Sequence, residues 1–591
     1  MACLPADCLS EIFSYLENDI NSLYNAILVN RLWCERAVRY LWKQPFYLRI
    51  KSFRKLSRVS RNSPEGLRVF MKLANTLLQC IQYNQKRSNG DIRNAIYILK
   101  FDYISFIRRL NFYHLRIVLM QWARFLRANP EEFDTELVIE ILQRRNTRKF
   151  AEKFLSDKDN SILVQIIETI ERSLILQIPN LECFSIYEPS LNTKLFWNIR
   201  NNLYFIYPEG DLECFSRLTN FEWSARTTNG ENFLRKLCNV ARNLKAIKFD
   251  WYEDSFLMFF TKNTKNDEIL IDLIKSQKSL QEFHFSNYSM DMLPSIVTGL
   301  KFQSENLTKI VLKDIIFKNL EFLNFILNLK NLQDLIIKRC DLKRFDQNCW
   351  PLEWKIPHLI KFEFLYNYPF HFVRTISDLQ EFEDKNSDHI YDHNNSTLKE
   401  IKLNQHISNP DILTFSNFIS TNCPNISKLE LNSYISVTAL SQILSTCSNL
   451  EKIIIKDKHW SISLHKETVH DVDKIMNQIV LTKLKKLELE GAFSFNHKSF
   501  EKFLNNSTPP LKKLIITGSS CFGNDHLKVI MDLRGENLRK VHILSAKDIK
   551  KTLVNKATRM IKDFKYNLLN IKTSQDLRIL RYSKNRANRR N

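Results

Sequence analysis

The chain has 591 residues, a hydrophobic fraction of 44% and a formal net charge of +23 at pH 7. This length exceeds one ordinary hydrophobic core, so the sequence predicts several domains or a repeat array. The nine glycines form no phosphate-binding pattern and the twelve cysteines form no C-x-x-C pair, which argues against a nucleotide site and a disulfide scaffold and favours a reducing compartment.

The first predicted element is an amphipathic helix near the N-terminus. Pro5 suits a first helical turn because that position needs no N–H donor, and Asp7 places negative charge near the positive end of the helix dipole. Four bulky apolar residues follow at i, i+3, i+4 and i+7, namely Leu9, Ile12, Phe13 and Leu16. One face of this helix must therefore be buried against another element or a partner.

A second helical segment lies between Ser22 and Trp42, so that residues 1–48 predict a small unit of two or three helices. Three elements occur here in order: Leu4-Pro5-x-Asp7-x-Leu9-x-x-Ile12-Phe13-x-x-Leu16, Leu28-Val29-Asn30-Arg31-Leu32-Trp33 and Leu41-Trp42. Together they resemble the F-box. Asp7 and Asn30 depart from the commoner glutamate and cysteine of that family, and neither change alters the apolar face.

The resemblance implies a module that docks on the Skp adaptor of a cullin-type ubiquitin ligase. The predicted adaptor-binding residues are Leu4, Pro5, Leu9, Ile12, Phe13, Leu16, Leu28, Val29, Trp33 and Trp42. The alternative is an ordinary helical hairpin that packs on its own chain.

Most of the remaining chain is repetitive. The pattern apolar-x-x-apolar-x-apolar begins at twelve positions from Leu218 to Leu538, most of them 24 to 28 residues apart. A thirteenth copy begins at Leu181 and a weaker one at Ile107. Because side chains alternate along a strand, each copy predicts a half-buried strand, and helical stretches such as 438–444 lie between copies.

A strand-and-helix unit of this kind cannot bury its apolar face alone, so neighbours must stack. The pattern resembles the leucine-rich repeat, and residues 422–431 and 446–455 resemble its cysteine-containing subtype. The expected fold is α/β, with an F-box-like helical module at 1–48, a helical linker and degenerate start of the solenoid at 49–180, a leucine-rich repeat solenoid at 181–544 and a basic tail at 545–591. Parallel strands would line the concave face of the solenoid and helices its convex face. Cys423 and Cys447 are expected to be small buried residues rather than metal or redox groups.

The sequence predicts no catalytic residue, metal or cofactor, because no G-x-S-x-G, H-E-x-x-H or catalytic cysteine signature occurs. The insertions at 365–397 and 456–480 contain His389, His393, His465 and His470 near aspartates, but their spacing matches no established metal site. The chain opens without a signal peptide and has no run of 18 apolar residues. We therefore expect no membrane partner and a location in the cytoplasm, the nucleus or both.

Positive charge concentrates in two places. Residues 547–591 contain fourteen Lys or Arg against three Asp, and such a tail could bind nucleic acid, direct nuclear import or solubilise the chain end. The last five strand copies share a lysine at the third position, namely Lys428, Lys452, Lys486, Lys513 and Lys540. Because adjacent strands lie about 4.8 Å apart, these lysines predict a ladder for an acidic or phosphorylated ligand, with Ile454 and Ile515 as apolar anchors. The alternative is that lysine merely fills a solvent-facing position.

The sequence thus predicts a non-catalytic substrate-recognition subunit of a cullin-type ubiquitin ligase. The F-box would bind the Skp adaptor and through it a cullin, and the repeats would hold an unknown target protein. Two alternatives are a leucine-rich repeat scaffold without a ubiquitin role and a basic protein associated with nucleic acid, the latter a partner class that the charge distribution disfavours.

Overall fold

The structure of the chain is a computed structural model that describes residues 4–46, 64–88, 101–129, 161–186, 213–224, 231–250, 264–286, 293–315, 317, 321–340, 358–365, 397–404, 419–420, 423–432, 437–456, 470–471, 473, 483–491, 493–506, 511–519, 522–534, 537–545 and 549–568. By its internal contacts the chain divides into two compact units, Met1–Tyr288 with Ser295–Asn306 and Ser289–Pro294 with Leu307–Asn591. None of the described helices combines the length and the apolar character that a membrane span requires.

The first unit opens with three short helices, α1 (Ala6–Tyr15), α2 (Ile20–Ile27) and α3 (Arg31–Leu41). The side chains of Asp19 and Asn30 cap α2 and α3 by accepting hydrogen bonds from the backbone N–H groups of Ser22 and Trp33. The helices enclose a core of Leu9, Phe13, Leu23, Ala26 and Ala37. Pro5 is the residue before α1, one position earlier than expected, rather than part of its first turn. At that position the helix requires no N–H donor, so the proline removes no helical hydrogen bond.

The rest of the first unit alternates helices with short strands. The helices are α4 (Pro64–Ser88), α5 (Phe112–Ala128), α6 (Ser161–Gln177), α7 (Glu231–Val240), α8 (Thr264–Lys275) and α9 (Leu293–Lys301). The last of them begins two residues before Ser295, where the second segment of this unit starts. The strands are β1 (Arg109–Asn111), β2 (Cys183–Ile186), β3 (Asn220–Ser224), β4 (Ala246–Asp250) and β5 (Glu282–Ser286). They pair in chain order, and every pair is parallel.

The second unit continues the same alternation. Its strands are β6 (Lys309–Lys313), β7 (Asp334–Lys338), β8 (Lys361–Leu365), β9 (Glu400–Asn404), β10 (Lys428–Leu431), β11 (Lys452–Lys456), β12 (His470–Asp471), β13 (Lys486–Glu490), β14 (Phe493–Ser494), β15 (Lys513–Ser519), β16 (Lys540–Ser545) and β17 (Asp563–Leu568). Its helices are α10 (Glu321–Leu327), α11 (Val437–Thr446), α12 (His497–Asn506), α13 (Asn524–Arg534) and α14 (Lys551–Met560). Of the strands in the described residues of this unit, ten form one parallel sheet in chain order, while β12 and β14 pair with each other.

Each of the fourteen predicted repeat copies contains one of these strands, which confirms the α/β repeat fold. The apolar residues at the fourth and sixth positions of a copy are buried, and the residues between them lie on the opposite, more open side of the sheet. The first residue of each copy, such as Leu218 or Leu484, is also buried. The apolar spacing therefore determined both the positions of the strands and the face that each of them buries.

The array is longer at its C-terminal end than the sequence prediction allowed. Strand β17 lies beyond the predicted end at residue 544 and pairs in parallel with β16. The segment Ile561-x-x-Phe564-x-Tyr566 carries the repeat pattern once more, but its charged residues were assigned to the basic tail. At the other end, β1 lies inside the predicted linker at 49–180, in agreement with a degenerate start of the solenoid. The end of the tail, residues 569–591, lies outside the described residues.

A buried ion pair joins α5 to α6. The guanidinium of Arg116 donates two hydrogen bonds to the carboxylate of Glu171, at 3.1 Å and 2.9 Å. The Glu171 side chain is completely buried, and this burial raises its pKa to about 7 although Arg116 acts in the opposite direction. The pair fixes the two helices against each other at a high desolvation cost.

Two buried glutamines connect neighbouring repeats in the first unit. Gln303 Oε1 accepts the backbone N–H of Leu280, and its Nε2 donates to the carbonyl groups of Ile274 and Gln277. The side chain of Gln277 makes the same kind of contacts one repeat earlier, with Leu244 N–H and Ala241 C=O. These amides satisfy buried backbone groups between the helices and the strands.

Candidate docking surfaces

Exposed apolar side chains concentrate on the three-helix module. In the part of the chain that the structure describes, nine large hydrophobic side chains are exposed, and six of them belong to this module. The six are Leu4, Ile12, Tyr15, Tyr24, Leu28 and Val29. Such a concentration on a unit of fewer than 50 residues is typical of a protein-binding surface.

The ten residues that the sequence assigned to adaptor binding separate into three groups. The exposed ones are Leu4, Pro5, Ile12, Leu28 and Val29. The half-buried ones are Leu16, Trp33 and Trp42. Leu9 and Phe13 are 0% and 1% exposed, so their assignment to the docking surface is wrong in this structure. Helical periodicity placed all four apolar residues of α1 on one stripe, but α2 and α3 cover half of that stripe.

Sequence reasoning missed two members of the exposed surface, Tyr15 and Tyr24, which are 81% and 54% exposed. Tyr15 stands three residues after Ile12, and Tyr24 stands four residues before Leu28. At those spacings side chains are neighbours on a helix surface, so a search for i, i+3 and i, i+4 pairs around the motif could have found both.

Backbone hydrogen bonds connect the three-helix module to the first strand of the sheet. The carbonyl of Lys43 accepts the N–H groups of both Arg108 and Arg109, at 3.1 Å and 3.0 Å. The carbonyl of Arg108 accepts two successive N–H groups from the start of β2 in the same way. The chain after α3 therefore occupies the place of a strand beside β1.

Side chains reinforce this connection. Glu17 contacts Lys43 Nζ at 2.8 Å and Arg109 at 3.4 Å, and the hydrogen bond from Lys43 is the main cause that lowers the pKa of Glu17. The rings of Trp42 and Tyr103 pack against each other with centroids 4.6 Å apart and their planes tilted by 37°. Ring and ion-pair contacts thus add to the backbone hydrogen bonds that attach the module to β1.

The second candidate surface lies on the open side of the sheet in the second unit. The side chains there include the lysine row, which we define as Lys428, Lys452, Lys486, Lys513 and Lys540. Parallel pairing places these five residues directly beside one another on β10, β11, β13, β15 and β16. The adjacency that the sequence predicted is therefore present.

The lysine row is not a bare ladder of charges, because four of its members contact carboxylates. The closest contacts are Lys428–Glu400 at 3.4 Å, Lys452–Glu430 at 3.8 Å, Lys486–Glu488 at 2.8 Å and Lys540–Asp563 at 2.8 Å. Burial opposes the ionisation of Glu488, but hydrogen bonds from Lys456 and Lys486 outweigh it and lower its pKa. Much of the positive charge is thus neutralised within the sheet.

The two predicted apolar anchors differ in accessibility. Ile454 is only 4% exposed, so its assignment to target binding is wrong in this structure. Its register neighbours are Glu430 and Glu488, and the ion pairs of these two carboxylates with lysines leave little open surface between them. Ile515 is half-buried and keeps accessible surface beside Lys513.

The cysteines that the sequence assigned to repeat turns are buried. Cys423 and Cys447 are 2% and 0% exposed, and the Cys447 thiol lies 3.7 Å from the carbonyl of Cys423. Burial raises the pKa of Cys447 and keeps it a thiol. Within the described ranges no three His, Cys, Asp or Glu side chains are grouped so as to hold a metal ion. Of the histidines considered for metal binding, His389, His393 and His465 lie outside the described residues, whereas His470 is part of β12.

Comparison with known proteins matches the three-helix module and part of the repeats. The F-box-like family model matches residues 1–48, and a model described as R13L1/DRL21 LRRs matches residues 226–340. A search of curated protein sequences gave no match. Among solved structures, the "Crystal structure of Rad7 and Elc1 complex in yeast" is similar over 57% of this chain and 76% of that chain, with 13% identity and a TM-score of 0.35. The two family matches assign an F-box-like domain to residues 1–48 and leucine-rich repeats to residues 226–340, and the parallel strand order agrees with repeats of that kind.

Proposed function

We propose that this protein is a substrate-recognition subunit of a cullin-type ubiquitin ligase and catalyses no reaction itself. The main support for this proposal is the concentration of exposed apolar side chains on the F-box-like module, where Ile12 is 43% exposed and Leu28 is 68% exposed. A Skp-type adaptor would cover these side chains and connect the chain to a cullin. The repeats would then hold a target protein near the enzyme that carries ubiquitin, which raises its effective concentration.

The connection between the module and the repeats supports this role. Proximity catalysis needs the target at a defined distance from the ubiquitin donor. The backbone bonds to Lys43 and the Glu17 contacts join the adaptor-binding module directly to β1. The first repeats therefore follow any movement of the docked module.

We assign target binding to the open side of the second unit. The assigned residues are Lys428, Lys452, Lys486, Lys513, Lys540 and Ile515, for an acidic or phosphorylated partner. Their support is the register that brings the lysines together and the half-exposed isoleucine beside them. The twelve cysteines suit a reducing compartment, so we propose the cytoplasm, the nucleus or both as the location.

A pull-down with purified Skp adaptor tests the docking surface. The double substitution Ile12→Asp with Leu28→Asp should weaken adaptor binding about 100-fold, because two desolvated anchors each contribute about 1–2 kcal/mol. Leu176→Asp is the matched control, since Leu176 is 46% exposed on α6, outside the module. Leu9→Asp is unsuitable because it would place a carboxylate in the core of the module.

Two outcomes contradict the proposal. Unchanged adaptor binding by the double variant shows that the exposed surface does not dock the adaptor. No retention of the unmodified chain favours the alternative, a leucine-rich repeat scaffold without a ubiquitin role.

The nucleic-acid alternative has its own test. Deletion of residues 569–591 removes the end of the basic tail and leaves β17 and its pairing with β16 in place. Retention of an oligonucleotide by the full chain and its loss after this deletion would favour nucleic-acid binding. A cut at residue 547 would be misleading, because it also removes α14 and β17.

A further inference from the structure

The five lysines of the lysine row are not equivalent. Four of them contact a carboxylate, as described above. Lys513 lies within 4 Å of no acidic side chain among the described residues, and its register neighbours on both sides are Lys486 and Lys540. Burial and the charges of these two lysines lower the pKa of Lys513. An anion placed at Lys513 would relieve this repulsion.

The charges at this register position follow a different pattern in the strands before β10. From β6 to β10 the residues at the equivalent register position are Lys309, Asp334, Lys361, Glu400 and Lys428. Opposite charges alternate there, so each cation has an acidic neighbour on the next strand. From β10 onward lysine follows lysine until Asp563 on β17. Lys513 is the fourth lysine of the five in this uninterrupted run and has a lysine on each side.

Ile515 adds an apolar contact to the same place. It stands two residues after Lys513 on the same side of β15, about 6.6 Å further along the strand. Its register neighbours are Glu488 and His542, and both are occupied by contacts within the sheet, Glu488 with two lysines and His542 with Asp563. The Lys513 ammonium and the half-buried Ile515 side chain thus lie as far apart as residues i and i+2 of an extended chain.

The neighbouring charges favour a carboxylate over a phosphate. Lys486 and Lys540 each keep a carboxylate at 2.8 Å, so about one positive charge remains uncompensated at Lys513. A phosphate monoester would bring a second negative charge close to Glu488 and Asp563. The row also contains no arginine, whose planar guanidinium binds phosphate oxygens in pairs.

We propose that Lys513 and Ile515 form a binding site for an extended protein segment in which an Asp or Glu and an apolar side chain stand two residues apart. The carboxylate lies against Lys513 between Lys486 and Lys540, and the apolar side chain lies on Ile515. That the bound segment belongs to a ubiquitination target rests on the function proposed above. The binding itself requires no adaptor.

The test uses the full chain and a library of nine-residue peptides with Glu at position 4 and Leu at position 6. Matched libraries carry Gln or phosphoserine in place of the Glu, and affinities are measured at low ionic strength. The Glu library should bind about fivefold more tightly than the Gln library, the upper range for one partly exposed ion pair. Lys513→Gln should abolish this preference, and Ile515→Ser should weaken binding of the Glu library.

Lys309→Gln is the matched control, because it removes the same charge at the equivalent register position on β6, outside the lysine row. The inference is overturned by equal losses in the Lys513 and Lys309 variants or by no preference for Glu over Gln. The inference is also overturned if the phosphoserine library binds more than fivefold more tightly than the Glu library. It is overturned as well if a single-stranded oligonucleotide competes with the peptides and its binding depends equally on both lysines. Adaptor retention by Lys513→Gln, measured in parallel, separates failure of this site from failure of the ligase assignment.

Discussion

The contacts of Glu17 allow a quantitative prediction about the connection between the F-box-like module and the repeats. We expect Glu17→Gln to loosen this connection without unfolding the module, because Glu17 lies outside its core. The substitution removes an ion pair at 2.8 Å to Lys43 and one at 3.4 Å to Arg109, and the Glu17 side chain is 21% exposed. Partly exposed pairs of this kind contribute about 0.5 kcal/mol each, so the local loss should be about 1 kcal/mol.

Amide hydrogen exchange can measure this loss where it occurs. The N–H groups of Arg108 and Arg109 donate to the Lys43 carbonyl, so they exchange when the connection opens. A loss of about 1 kcal/mol corresponds to roughly fivefold faster exchange of these two amides. Glu35→Gln is the matched control, because it removes an exposed 3.0 Å pair with Arg31 inside the module and should leave both amides unchanged.

The pH dependence gives a second check. The pKa of Glu17 is below its ordinary value in the folded chain, so its contribution is complete above about pH 4.5 and is lost as the pH falls through the lowered pKa. The difference between Glu17→Gln and the unmodified chain should therefore be constant from pH 7 to pH 5 and shrink below that. Equal exchange of the two proteins at pH 7, or a difference that persists undiminished at pH 3.5, would refute the reasoning.

Three further predictions concern buried and paired groups. Arg116→Met should lower the free energy of unfolding of the first unit by about 3–5 kcal/mol in urea, and adding Glu171→Leu should restore most of this loss. Because the pKa of Glu171 is raised to about 7, the free energy of unfolding of the unmodified chain should rise as the pH falls from 7 to 4.5. Gln303→Leu should cost about 3 kcal/mol in the same assay, because the Leu280 N–H and the Gln277 carbonyl lose their partner and the Ile274 carbonyl keeps only the Gln277 N–H. The exposed Gln333→Leu should cost almost nothing. Asp563→Asn should tighten binding of the Glu peptide library two- to threefold, because Lys540 loses its carboxylate partner beside Lys513, and unchanged affinity would contradict this.

The sequence predicted the repeat fold well because each copy buries residues at fixed positions. Leu487 and Leu489 on β13 are buried as the alternation requires, and the same spacing correctly located strands as short as β1. The final copy around Phe564 was missed because the charges on its open side dominated the composition of that segment. Composition is a weaker signal than spacing when a strand exposes one charged face.

The candidate sites were less predictable because exposure depends on packing between elements. Leu9 and Ile12 both belong to the apolar stripe of α1, yet only Ile12 is exposed, since the positions of α2 and α3 decide which part of the stripe is covered. In the lysine row, sequence could align the lysines but could not identify which ones share a carboxylate. The distinct position of Lys513 emerges only from the ion pairs of its neighbours.

The hydrogen bonds between Lys43 and β1 also bear on how this protein can be truncated. A parallel sheet that ends in unpaired backbone groups invites pairing with another chain, and repeat arrays usually carry a terminal cap for that reason. Here the Lys43 carbonyl after α3 pairs with the N–H groups at the start of the first edge, so the F-box-like module acts as an N-terminal cap at that point. Removing residues 1–46 would therefore expose the edge of β1 and promote aggregation. Substitutions at Ile12 and Leu28 separate loss of docking from loss of the cap, which deletion of the module cannot do.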